Sequence, residues 1–150
     1  MTAIAGNRIQ IMHGVNLDQL GRRAPEHYGG VTFLQLEQAI DGFAEQLELD
    51  ARFFQTNHEG EFIEHLHRLQ DVADGLIVNA GAWSHYSRAI GEALAFVGVP
   101  VVEVHLSDVN AREEWRRVSV LGEHCIATVA GQGVDGYREA LGTLKAALSS

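Results

Sequence analysis

Lysine is nearly missing from this chain: of 150 residues, Lys145 is the only one. Imine chemistry at a side-chain amine therefore has a single candidate. The apolar spacing of the last helix puts that candidate off the buried stripe, toward solvent. Cysteine is equally scarce. Cys125 has no partner for an internal disulfide, which suits a reducing cytoplasm. Its neighbours Ile126, Ala127 and Val129 mark it as core rather than nucleophile. No apolar run reaches the roughly 18 residues of a membrane-spanning helix, and the start of the chain lacks the apolar stretch of a signal peptide. Positive charge is short too. The 11 basic residues stand against 20 acidic ones and give a net charge of −9, which argues against nucleic-acid and anionic-membrane partners.

Several motifs are also lacking. There is no Gly-x-Ser-x-Gly elbow, no Walker loop, no His-x-x-x-His and no Cys-x-x-Cys. His13, His85 and His105 are the histidines that could share a cleft, but without ligand spacing they give no metal site. His65 and His67, two apart on a helix, share no face and read as surface residues. Gly131-x-Gly133-x-x-Gly136 fits the dinucleotide fingerprint. That fingerprint belongs in a first βαβ unit with an acidic residue about 20 positions on, and no strand follows here. It reads as a tight turn into the final helix, so no cofactor is expected.

What is present is a regular alternation. Apolar content is 46%, enough for one core, and residues 1–150 read as one domain. Five short apolar runs predict strands at Ile9–Met12, Ala51–Gln55, Gly75–Asn79, Val101–His105 and His124–Val129. Thr32 with Gln35 forms a capping box, and Phe33, Leu36, Ile40, Phe43 and Leu47 follow as one helical stripe. Further stripes are Phe62, Ile63, Leu66 and Leu69; Ile90, Ala93, Leu94 and Val97; and Tyr137, Leu141, Leu144 and Leu148. Strands alternating with helices imply an α/β, flavodoxin-like fold: a five-stranded parallel sheet of order 2-1-3-4-5, with helices on both faces. Ligands in such sheets sit beyond the carboxyl ends of the strands, where strands 1 and 3 diverge.

Polar residues gather at that end. The connection from His13 to Gly30 is far longer than the usual 2–6 residues and reads as a mobile lid carrying its own chemistry. Asn79 and His85 follow strand 3, and His105 ends strand 4. Arg22, Arg23, Arg112, Arg116 and Arg117 fall in or beside two loops, a grouping suited to a small anion. Tyr28 is the most informative single residue. A free phenol ionises near 10 and is a poor base at neutral pH, but adjacent cations favour its ionised form. Arg23, on the same loop, is one candidate for that role, and an arginine from elsewhere, such as Arg116, is another.

These residues carry a family resemblance. Gly14, Asn16-Leu17, Leu20-Gly21, Arg23, Pro25 and Tyr28-Gly29 resemble the first motif and lid of the type II dehydroquinases (3-dehydroquinate dehydratases). Gln55 to Gly60, Asn79 to His85, Val102 to Ser107, Ala111 to Arg116 and Gly131 to Tyr137 are similar to that family's later motifs, in order. The resemblance implies a hydro-lyase that converts 3-dehydroquinate to 3-dehydroshikimate by anti elimination through an enolate, in aromatic biosynthesis or quinate breakdown. It also implies a dodecamer of four trimers. By position, Tyr28 would be the tyrosinate that takes a C2 proton, with Arg23 favouring that ionised form. Asn16 would hold a water on the enolate oxygen. His105, oriented by Glu103, would protonate the leaving hydroxyl. Leu106 and Ser107 would grip the carboxylate, Asn79, His85 and Arg116 the ring hydroxyls, and Arg112 would order the lid.

The chain departs from the family pattern at several points. His13-Gly14-Val15-Asn16 stands for Asn-Gly-Pro-Asn, Tyr86 for threonine, Gly91-Glu92 for Arg-Asp, and Asn110 for histidine. Glu92 is expected to reach a neighbouring subunit's site in place of the aspartate. Two other readings stay open at this stage: a paralogue acting on a related cyclic hydroxy acid, and a non-catalytic flavodoxin-like binding module.

Overall fold

The computed structural model describes residues 6–149. Five parallel strands form one sheet of order β2-β1-β3-β4-β5: β1 (Arg8–His13), β2 (Asp50–Gln55), β3 (Gly75–Asn79), β4 (Val101–His105) and β5 (Ala127–Ala130). Between and after them run α1 (Pro25–Tyr28), α2 (Phe33–Gln46), α3 (Glu59–His67), α4 (Leu69–Val72), α5 (Arg88–Leu94) and α6 (Asp135–Leu148). The sheet order and the helices on both faces are those expected from the sequence.

Successive strand residues face opposite sides, so the sheet divides two cores. One holds Ile9, Ile11, Ile77, Val102 and Val104 against Leu36 and Ile40 of α2 and Tyr137, Leu141 and Leu144 of α6. The other holds Met12, Leu76, Val78 and Val101 against Phe62, Leu66, Ile90 and Leu94. The expected capping box opens α2: Thr32 Oγ1 accepts from the Gln35 amide at 3.1 Å, and Gln35 Oε1 accepts from the Thr32 amide at 3.0 Å. Truncating a fully buried stripe residue such as Leu36 to alanine costs about 2–5 kcal/mol, a large part of a domain's stability.

Four expectations need correction. The fifth strand begins at Ala127 rather than His124. Residues 122–124 form a 3₁₀ turn, closed by Cys125 N on the Gly122 carbonyl, before the chain extends. Burial, followed by the nearby Glu103 charge, pushes the Cys125 thiol up to about 12. Lys145 is half-buried, and its Nζ donates to the Leu47 carbonyl at 2.6 Å, near the amino ends of the strands. His65 stacks on Phe54 at 4.0 Å, and burial lowers its pKa, so of that pair only His67 is exposed. His13 is fully buried among Phe33, Phe53 and Tyr137, with Glu37 Oε2 3.4 Å from its Nε2. It shares the face of Ile9 and Ile11, as strand alternation requires, and does not join His85 and His105.

The carboxyl ends of β1 and β3 nearly touch. The Gly14 amide donates to the Asn79 carbonyl at 2.7 Å, and a Cβ on Gly14 would lie 2.4 Å from the Ala80 oxygen. Gly81, at φ +65, has the Val15 carbonyl where its Cβ would be. Glycine at both places lets the two loops separate from one point and leave a cleft between them.

Candidate active site

The cleft is lined by Arg23, Tyr28, Asn79, His85, His105, Leu106, Ser107, Arg112 and Arg116, with Leu17, Gly81, Ala82 and Val109. Three guanidiniums in one cleft of a protein with net charge −9 suit a small anion.

Tyr28 closes α1, a single turn that Pro25 opens and Gly29 ends in a left-handed cap. Its phenol oxygen accepts from Arg23 Nη2 at 2.6 Å and from Arg112 Nη1 at 2.7 Å. The Arg23 guanidinium also lies 4.1 Å from the ring centroid. Burial lowers the Arg23 pKa, while the phenol works the other way. Two cationic donors converge on this one oxygen. The second arginine is thus Arg112, not Arg116. Arg116 instead bonds Glu113 through Nε at 3.1 Å and lies 4.1 Å over the Trp115 ring.

β4 supplies Glu103 and His105, two apart and therefore on one face. His105 Nε2 meets Glu103 Oε2 at 2.6 Å, and the Glu103 side chain is fully buried. Burial alone raises this carboxyl. Hydrogen bonding and charge from His105, with hydrogen bonds from Ser119 and Thr128, outweigh it and hold the group below the usual carboxylate range. Glu103 is therefore ionised, and His105 Nε2 carries the donated proton. His85 ends a 3₁₀ turn at Gly81–His85 and lies 5.8 Å from the His105 ring. Its Nδ1 donates to the Val118 carbonyl at 2.6 Å, because a carbonyl can only accept. Burial lowers its pKa, opposed by that bond, so the ring is neutral and Nε2 is left to accept.

The turn that follows β4 fixes two further groups. Gly131 and Gly133 amides hold the Ser107 and Leu106 carbonyls at 3.0 and 3.1 Å, and Arg112 Nη1 reaches Ser107 Oγ at 3.3 Å. The glycine turn after β5 therefore shapes the cleft floor. Asn79 Oδ1 accepts from the Gly81 amide at 3.1 Å.

Two sequence-derived residues lie elsewhere. Asn16 sits in a left-handed turn, φ 69, beside cleft-lining Leu17, and its backbone amide donates to Asn57 Oδ1 at 2.8 Å. Glu92 lines a separate hollow with Arg88, Val120, Glu123 and His124. Among the described residues no three His, Cys, Asp or Glu side chains are grouped to hold a metal. Ser119, which donates to Glu103, was not foreseen: a lone serine at the end of a polar segment carries no pattern.

The phenol oxygen accepts from two arginines, and a histidine donates to a buried carboxylate; both are groups of the kind that exchange protons. Together in a cationic cleft they define a proton-transferring lyase for a small acid. Residues 7–145 match the Dehydroquinase class II family. The chain is 44% identical to the 3-dehydroquinate dehydratase of Bacillus licheniformis, covering 89% of this chain and 92% of that one. It is 47% identical to that of Carboxydothermus hydrogenoformans, covering 87% and 85%. The crystal structure of type II dehydroquinase from Propionibacterium acnes superposes with a TM-score of 0.88 at 38% identity, over 93% of this chain and 97% of that one. This chain belongs to the type II dehydroquinase family and is a hydro-lyase.

Proposed function

We propose that the protein removes water from 3-dehydroquinate to give 3-dehydroshikimate by anti elimination through an enolate. Tyr28, as tyrosinate, takes the C2 proton. The observation that carries this reading is the phenol oxygen under two guanidiniums, at 2.6 and 2.7 Å, in the cleft that also holds the His105–Glu103 pair. The enolate oxygen is held by a water on Asn16, which stabilises charge without a covalent bond. His105 protonates the leaving C1 hydroxyl, so that it departs as water. Leu106, Ser107 and Arg112 bind the substrate carboxylate, and Asn79, His85 and Arg116 bind the ring hydroxyls. His85 Nε2, free to accept, suits a hydroxyl donor.

The working particle in this reading is a dodecamer of four trimers in the cytoplasm, with Glu92 completing a neighbour's site. Its place outside its own subunit's cleft lining agrees with that role. The reaction turns a hydroxy ketone into a conjugated enone. Adding 3-dehydroquinate and following ultraviolet absorbance tests the activity directly: a rise with protein concentration is expected, and no rise from folded protein contradicts it. A related cyclic hydroxy acid turned over in its place would instead assign the paralogue.

A further inference from the structure

The segment 118–122 lies across the His105–Glu103 pair and is tied down at each step. The Val118 carbonyl accepts from His85 Nδ1 at 2.6 Å, and the Val120 amide donates to the Ser84 carbonyl at 2.8 Å. Between them, Ser119 Oγ is 2.8 Å from Glu103 Oε2 and 3.0 Å from Oε1. The same oxygen accepts from the Leu121 and Gly122 amides at 3.1 and 3.2 Å. A serine hydroxyl has one proton and two lone pairs. Both lone pairs are used by backbone donors, so the proton points at the carboxylate. Thr128, paired with Glu103 across β4 and β5, adds Oγ1 at 3.4 Å from Oε1. A Cβ added at Gly122 would meet Oε1 at 3.5 Å, so the strap passes close beside the buried carboxylate.

We propose that Ser119 is a positioning residue for the reaction: it fixes Glu103 as an acceptor, and so fixes which nitrogen of His105 exchanges the catalytic proton. The polarity runs one way. Backbone amides donate to Ser119, Ser119 donates to Glu103, and Glu103 must then accept from His105 Nε2. The Nε2 proton is committed to the carboxylate, so it is in the imidazolium form that Nδ1 carries the proton transferred to the leaving group, the ring returning to its neutral Nε2–H form. Without the hydroxyl, the carboxylate keeps, among the described residues, His105 and the longer Thr128 contact, so its setting loosens and the imidazole's with it. The inference rests on His105 as the acid of the proposed mechanism.

The test uses the full chain and 3-dehydroquinate turnover. Ser119→Ala is expected to lower kcat about 10- to 100-fold, the range for a hydrogen bond to a charged group, with KM within about twofold. Ser119→Thr, which keeps the hydroxyl, should retain most of kcat, whereas Ser119→Cys, a weak donor of similar size, should lose it. In a Glu103→Gln background Ser119→Ala should add less than about twofold, because both changes break one linkage. Wild-type kcat in Ser119→Ala, an undiminished loss in the Glu103→Gln background, or equal losses in the Thr and Cys variants would each overturn the role. If Ser119→Ala does not fold, the Thr and Cys comparison decides alone. His105→Gln separates the two layers. Full turnover there removes the histidine acid itself, whereas a dead His105→Gln beside an unimpaired Ser119→Ala removes only Ser119.

Discussion

Arg112 Nη1 lies 2.7 Å from the phenol oxygen of Tyr28, joining two loops 84 residues apart in the chain. The same nitrogen is 3.3 Å from Ser107 Oγ. One guanidinium thus touches both the proposed base and the proposed carboxylate pocket, a tie between lid and floor that Arg116 does not make. Arg112→Ala should therefore lower kcat and raise KM together. Arg116→Ala should act mainly on KM. Steady-state kinetics of the two variants check this, and a kcat loss confined to Arg116→Ala would reverse the assignment.

Lys145 is expected to play no part in the chemistry. Its amine is bonded to the Leu47 carbonyl at 2.6 Å, in a hollow with Asn7, Leu47 and Leu148 at the other end of the strands from the cleft. Borohydride added with substrate should leave activity intact and add no substrate mass. Lys145→Ala should turn over normally, apart from a small loss of stability. A reduced substrate adduct on Lys145, found by mass spectrometry, would refute the enolate route.

Glu103 sets an acid limit on stability. Its carboxyl is held below its ordinary 4.5 in the folded protein, where burial is outweighed by the His105, Ser119 and Thr128 contacts. A depressed folded value means that the unfolded chain binds the proton more readily. The group's contribution is therefore complete above about pH 5 and is lost as pH falls through and below the ordinary value. Melting temperatures of wild type and Glu103→Gln should differ most near pH 7, and the gap should narrow as the pH falls below about 4.5. A gap that widens on acidification would contradict this sign.

Assembly is the next expectation. Glu92 lies with Arg88, Val120, Glu123 and His124, outside the cleft of its own subunit. Sedimentation should show a particle many times the 16.4 kDa chain. Glu92→Ala should lower turnover without unfolding the subunit. A fully active monomer at assay concentration would remove both the trimer and the role of Glu92.

The parts legible in the sequence were those with a period. Strand runs and helical stripes pointed to the sheet order; Glu103 and His105, two apart on a strand, share a face, but their pairing was legible only through the family resemblance. Thr32 and Gln35 announced their capping box. His13 could have been placed in the core by the same alternation, since it falls in step with Ile9 and Ile11; its polarity suggested a cleft instead. The segment after β4 has no period. It folds as 3₁₀ turns at Val109–Ala111, Glu114–Arg117 and Gly122–His124, so nothing in its spacing told which arginine turns toward Tyr28. Ser119 was invisible for the same reason: its importance comes from a carboxylate 16 residues away in the chain.

The central claim is that Tyr28 is the base, and Tyr28→Phe tests it most directly. The change removes one oxygen and leaves the ring against Arg23 and Arg112. Turnover of 3-dehydroquinate should fall at least about 10²–10⁴-fold, the usual worth of an acid–base group. Substrate binding, measured by calorimetry on the same variant, should persist. A folded Tyr28→Phe protein that still produces the enone at near wild-type rate would contradict the account.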